Sequence, residues 1–134
     1  MSNNSQRKIL IIEDEVPLLK ALSDKFTHEG YEVLKGHDGE EGLEVALKEH
    51  PDIILLDIVM PKMDGLTMLE KLRWDEWGKD VPVILLTNLN DPTKVAEAIK
   101  DGVFDYLVKT NWKLEDVVNK VEERLKRIPT DEEE

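Results

Sequence analysis

The sequence predicts a doubly wound α/β domain, with five parallel strands alternating with five helices that cover both faces of the sheet. Three observations predict it. Short unbroken apolar runs recur at Ile9-Leu10-Ile11-Ile12, Ile53-Ile54-Leu55-Leu56 and Val83-Ile84-Leu85-Leu86, as a strand covered on both faces requires. Amphipathic stretches at helical spacing separate these runs. The length of 134 residues and the hydrophobic fraction of 40% suit one domain with one core.

The elements follow in order. After Ile9–Ile12 come Glu13, Asp14 and Glu15, then Pro17, a residue tolerated in a first helical turn, where acids also favour the helix dipole. Leu18, Leu19, Leu22 and Phe26 recur at helical spacing, and Gly30 is the expected stop. Tyr31 to Leu34 is a weaker second strand. Asp38 is the expected cap of a helix carrying Leu43, Ala46 and Leu47, which His50-Pro51 ends. Ile53–Leu56 is the third strand, closed by Asp57 and followed by the loop Met60-Pro61-Lys62-Met63-Asp64-Gly65. The third helix buries Leu66, Leu69 and Leu72 and is expected to stop near Gly78. Val83–Leu86 is closed by Thr87, and Asp91-Pro92 opens a helix with Val95, Ala98 and Ile99 that ends at Asp101-Gly102. Phe104 to Val108 is the fifth strand, closed by Lys109. Leu114, Val117, Val118, Val121 and Leu125 form the stripe of the last helix, each contributing roughly 1.5–3 kcal/mol if fully buried, before entropy is subtracted. Ile128-Pro129 ends the fold. The expected organisation is a disordered segment at 1–7, the folded unit at 8–128 and an acidic tail at 129–134.

Right-handed crossovers leave few topologies, and the commonest order for five strands is 2-1-3-4-5, the flavodoxin-like arrangement. Ligands in such sheets bind outside the carboxyl ends of the strands, near the switch point between strands one and three. The residues closing the strands are therefore the candidate site: Glu13 and Asp14, Asp57, Thr87, and Lys109. Three carboxylates in one pocket repel by up to a few kcal/mol per pair at an effective dielectric near 20 (roughly). Lys109 offers one positive charge. A hard divalent cation that prefers oxygen ligands offers two, and Mg²⁺ needs only one or two protein carboxylates beside its waters and a phosphate oxygen. A carboxylate can then act as a nucleophile and form an aspartyl phosphate, with metal, ammonium and hydroxyl neutralising the moving phosphoryl oxygens.

The totals narrow the classes. The net charge of −12 repels nucleic acid and anionic membrane, so neither is expected as a partner. Part of that charge is the terminal Asp131-Glu132-Glu133-Glu134. The absence of cysteine excludes disulfides, thiolate zinc sites and thiol nucleophiles. No apolar run reaches the ~20 residues of a membrane span, and Met1 to Lys8 has no signal-peptide character. A soluble cytoplasmic protein is expected.

Glu13-Asp14 after strand one, Asp57 with Met60-Pro61 and Asp64-Gly65 behind it, Thr87, Tyr106 and Lys109 stand in order, with Glu13-Asp14, Asp57, Thr87 and Lys109 at strand ends. In this constellation the sequence resembles the bacterial two-component response-regulator receiver family, over about residues 8 to 127, in the single-domain form of the chemotaxis regulators. The resemblance implies that Asp57 is the phosphoacceptor. It implies that Asp14, Asp57 and the Val59 carbonyl bind Mg²⁺ directly and that Glu13 acts through a metal-bound water. Lys109 would pair with the phosphoryl group. Thr87 would donate its hydroxyl to that group, and Tyr106 would turn inward into the space Thr87 vacates. The donor would be a phosphohistidine on a sensor histidine kinase or a histidine phosphotransfer protein. The face made by helix four, strand five and helix five would carry the output to a downstream protein, since no output domain follows the last helix. Such a chain would catalyse its own phosphorylation and dephosphorylation while serving as a signalling switch.

The sequence departs from the family pattern at two places. Thr110 stands where proline often follows the lysine, and a cis peptide without proline costs ~2.5–4 kcal/mol. Asn88 stands where a small residue usually follows the threonine, and Val59 offers no polar group to orient a water. Slow loss of phosphate is the expectation. The alternative function is a non-phosphorylated pseudo-receiver acting as a protein-binding scaffold. A flavodoxin is disfavoured because an acidic triplet replaces the phosphate loop after strand one, and no Walker-type Gly-Lys loop exists. An aspartate-nucleophile phosphatase would carry a second Asp at position 59. Tyr106 as a switch rests on the resemblance alone. Trp112 suits a partner contact or packing at the helix start equally. Trp74 and Trp77 lie three apart and could form an exposed patch, with buried edges of helix three as the preferred reading, and His28, His37 and His50 form no metal cluster.

Overall fold

The computed structural model describes residues 6–58, 60, 62–87, 92–103, 105–108 and 113–126, with backbone alone at 87, 94, 105 and 108. Residues 1–5 of the segment expected to be disordered at 1–7, and the acidic tail at 129–134, lie outside the described residues. Five strands alternate with five helices: β1 (Lys8–Ile12), α1 (Val16–His28), β2 (Glu32–Gly36), α2 (Gly39–Glu49), β3 (Ile53–Asp57), α3 (Gly65–Trp74), β4 (Val83–Thr87), α4 (Pro92–Lys100), β5 (Asp105–Val108) and α5 (Leu114–Lys126). All four strand pairings are parallel and the order is β2-β1-β3-β4-β5, the flavodoxin-like order expected from the sequence.

The unbroken apolar runs build two cores from one set of strands. Ile9, Ile11, Ile53, Leu55, Ile84 and Leu86 point to the α1/α5 side. Leu10, Ile12, Ile54, Leu56, Val83 and Leu85 point to the side of α2, α3 and α4. Side chains alternate across a strand, so a run must be apolar at every position when both faces are covered. Leu19, Leu22 and Phe26 from α1 and Val117, Val118, Val121 and Leu125 from α5 close the first core. Ala46, Met68, Leu69, Leu72 and Ala98 close the second.

Local signals set the helix ends. Asp38 caps α2 by accepting the Glu41 N–H at 2.8 Å, and Asp64 caps α3 by accepting the Thr67 N–H at 2.8 Å. Gly30 and Gly102 follow α1 and α4 at φ +98° and +87°, the left-handed region that a side chain disfavours.

Four elements differ from the sequence reading. Strand β2 starts at Glu32 and runs to Gly36, while Tyr31 is buried before it and meets Phe26 edge-on at 5.2 Å. Helix α3 stops at Trp74, short of Gly78, because the Asp75 carboxylate accepts the N–H groups of Trp77 and Gly78 and turns the chain. Trp74 is 73% exposed, against the buried reading. It lies two residues after Leu72, about 200° around the helix from the buried stripe. Trp77 is half-buried and stacks on His50 at 4.3 Å. Leu47 and Ile99 are exposed, and the neighbouring Ala46 and Ala98 occupy the core-facing positions. Among the described residues, no helix is long and apolar enough to cross a membrane.

Candidate functional site

Residues Glu13 and Asp14 follow directly from β1, whose pairing with β2 continues one bond further through Glu13 N–H to the Gly36 carbonyl at 3.0 Å. Glu13 is fully buried, an unusual place for a carboxylate. Its Oε2 accepts the N–H of Glu15 at 3.1 Å, and Glu15 is the residue that opens α1. The carboxylate thus sits where a helix N-terminus presents N–H groups and positive dipole. Asp57 is the last residue of β3 and 5% exposed, and it is held in register against Leu86 of β4. Asp14 stands further toward solvent than the other two.

These three side chains each bring a carboxylate oxygen within 4.8 Å of the others. The cluster pairs residues from two adjacent strands at the carboxyl edge of the sheet, on either side of the β1–β3 crossover. Three like charges at that spacing repel by roughly 3 kcal/mol or more per pair at an effective dielectric near 20. An all-oxygen, acidic, partly desolvated set suits a hard divalent cation, and for Mg²⁺ two protein carboxylates plus waters suffice. The residues present therefore fit the ion that the sequence implied.

The segment after Asp57 is pinned at several points. Gly65 N–H donates to the Ile58 carbonyl at 2.7 Å, and a Cβ at Gly65 would overlap the Asp57 carbonyl oxygen. Lys62 adopts φ +66°, and its Nζ lies 3.8 Å from Asp38 Oδ2. Gly39, the first residue of α2, lies against the same segment, and a Cβ there would overlap the Met63 carbonyl oxygen. The sequence reading named Gly65 only as part of a motif and missed Gly39. A glycine three residues past a strand and next to a capping Asp was the available signal.

Thr87 closes β4, where its backbone is paired with Val108, the last residue of β5. The Thr87 side chain and the residues Val59, Asn88, Lys109, Thr110 and Trp112 lie outside the described residues. Tyr106 sits on the edge strand β5 opposite Leu85, with 38% of its surface exposed. Among the described residues, the acidic trio is the group of potential metal ligands, and no histidine joins it.

Comparison with known proteins agrees with this architecture. The family model described as response regulator receiver domain matches residues 9–122. A probable transcriptional regulator, ycf27, of Porphyridium aerugineum is 38% identical over 104 residues, which are 78% of this chain and 42% of that protein. The chain spans about two fifths of the length of the first curated relatives it matches. Among solved structures, a CheY-like response regulator receiver domain protein from Methanospirillum hungatei superposes with a TM-score of 0.84 at 27% identity, covering 91% of this chain and 95% of that one. The CheX-CheY-BeF3-Mg+2 complex from Borrelia burgdorferi gives a TM-score of 0.79 at 31% identity, covering 89% of each chain. A match that begins at the second residue of β1 and ends inside α5 takes in all of the sheet but Lys8, with its acidic edge, and on that ground the chain belongs to the response regulator receiver domain family of two-component systems.

Proposed function

We propose that this chain accepts a phosphoryl group on Asp57 from a phosphohistidine of a sensor histidine kinase or a histidine phosphotransfer protein. One observation carries the reading. Asp57 is a nearly buried strand-end carboxylate gathered with Glu13 and Asp14 within 4.8 Å. An Asp57 carboxylate oxygen attacks phosphorus, the P–N bond to the donor imidazole breaks, and the imidazole nitrogen keeps the electron pair. Asp14, Asp57 and the Val59 carbonyl would hold Mg²⁺, with Glu13 acting through a bound water. When bound there, the cation would supply charge neutralisation for the phosphoryl oxygens. The likeness to the receiver protein of a CheX-CheY-BeF3-Mg+2 complex supports that ligand class.

The remaining roles follow the sequence. Lys109 directly follows β5 and would pair with the phosphoryl group. Thr87, at the end of β4, would donate its hydroxyl. Tyr106, partly exposed on β5, is the switch residue of the reading and would turn inward as Thr87 moves. Output would pass through the α4-β5-α5 face, biased by the different contacts the phosphoryl group makes in each state. Residues 8–128 form the receiver unit in this reading, flanked by 1–7 and 129–134, and the protein acts in the cytoplasm. The expectation that nucleic acid is no partner rests on the charge of this segment alone, because the curated relative is longer and is named a transcriptional regulator.

Incubation with acetyl phosphate and Mg²⁺ followed by intact mass tests the reading. One added phosphoryl group, absent in Asp57→Asn, is expected. Folded wild-type protein that gains no mass would favour the scaffold alternative.

A further inference from the structure

We propose that Gly39 is a positioning residue for Asp57, seating the first turn of α2 directly on the backbone that follows the acceptor. This rests on the reading of Asp57 as phosphoacceptor. Gly39 is buried, and a Cβ built on it would overlap the Met63 carbonyl oxygen, with the Met63 carbonyl carbon at 2.8 Å and the Asp64 carbonyl oxygen at 3.1 Å. These atoms belong to the main chain, so no side-chain rotation relieves the overlap. Alanine at position 39 must displace either α2 or the segment.

That displacement has a short route to the site. Two residues after Met63, Gly65 makes the same kind of approach to the Asp57 carbonyl oxygen, and its N–H closes the segment onto Ile58 at 2.7 Å. Asp38 adds a second link, because it caps α2 and lies 3.8 Å from Lys62 Nζ. A push at Met63 is therefore transmitted through backbone to the residue carrying the phosphoryl acceptor. Small misplacements of a reacting group cost large factors in rate. The α2 end of the molecule thus becomes a lever on Asp57, on the opposite side of the sheet order from β5.

Gly78 supplies a matched control, since a Cβ there would overlap the Leu72 carbonyl oxygen at the far edge of the sheet. Gly39→Ala and Gly78→Ala are compared with wild type by thermal melting, Mg²⁺ calorimetry and the initial rate of phosphorylation by acetyl phosphate. Gly39→Ala is expected to weaken Mg²⁺ binding about tenfold and to slow phosphorylation roughly ten- to a hundredfold. Gly78→Ala should lower the melting temperature while both site measurements stay within about twofold. Wild-type Mg²⁺ affinity and rate in Gly39→Ala, or equal losses in Gly78→Ala, overturn the proposal. If Gly39→Ala does not fold, Gly39→Ala/Lys62→Gly is read against Lys62→Gly alone, because glycine frees the left-handed backbone at 62 but also removes the Lys62–Asp38 contact. Folding with weakened Mg²⁺ binding supports the seat. Folding with wild-type binding, or no folding, assigns Gly39 to the fold alone. Wild type that neither binds Mg²⁺ nor gains a phosphoryl group removes the Asp57 reading itself, before any substitution is compared.

Discussion

An aspartate stands at each end of strand β3, one against backbone partners and one among carboxylates. Asp52, just before the strand, accepts the Lys8 N–H through Oδ2 at 2.8 Å and donates its own N–H to the Lys8 carbonyl at 2.9 Å. The Lys8 ammonium reaches the Glu49 carbonyl at 3.3 Å. At the same edge of the sheet, the Arg73 guanidinium donates to the carbonyls of Asp101, Gly78, Val81 and Gly102 at 2.8–2.9 Å. There, charge meets its complement. Asp57, at the other end of the strand, is packed with two more carboxylates. The amino edge of the sheet matches its charges with backbone carbonyls and N–H groups, whereas the carboxyl edge gathers three carboxylates within 4.8 Å.

The largest test of that division is Arg73→Met. It strips donors from four carbonyls joining α3 to the chain ahead of β4 and β5, and an expected loss of about 3–5 kcal/mol follows. Urea denaturation measures it. Mg²⁺ affinity should not change, and a weakened Mg²⁺ site would mean that the two edges are coupled.

Tyr31 sharpens the same comparison at the amino edge. Burial, aided by the Glu122 carboxylate and opposed by Arg7, pushes its phenol up to about 12. The folded state holds the proton more tightly than the unfolded chain, whose phenol titrates near 10. Stability from this source is complete below pH 10 and is lost as the pH rises toward 12, by up to about 2–3 kcal/mol. Denaturation across that range should be flatter in Tyr31→Phe than in wild type. Equal slopes would place the alkaline loss elsewhere.

The fold was legible because both faces of the sheet are covered, which forces unbroken apolar runs that only strands of this kind need. Glu13, Asp14 and Asp57 were legible because each directly closes such a run, so their convergence follows from parallel register. Trp74 was misread because hydrophobicity alone suggested burial, while the angular position set by Leu69 and Leu72 put it outside. Leu47 and Ile99 failed for a related reason, since a neighbouring alanine took the core position. Gly39 and Arg73 were missed because their roles are contacts to backbone carbonyls distant in sequence, and carbonyls carry no residue identity. Val59 and Lys109 lie outside the described residues, so their roles rest on sequence position.

The smallest effects come from making one change at both ends of β3. Without divalent cation, Asp57→Asn removes one charge from a like-charged cluster and should raise stability by about 1–2 kcal/mol. Asp52→Asn keeps an acceptor for the Lys8 N–H but loses its charge-assisted part, and should lower stability by about 0.5–1 kcal/mol at this exposed position. Urea titration in EDTA reads both signs. Adding Mg²⁺ should raise the melting temperature of wild type and Asp52→Asn, through binding to the native state, but raise that of Asp57→Asn far less. Two losses of stability in EDTA would mean that the neighbours of Asp57 already balance its charge. The cation would then have no stored repulsion to relieve, and the contrast between the two edges of the sheet would reduce to one of burial.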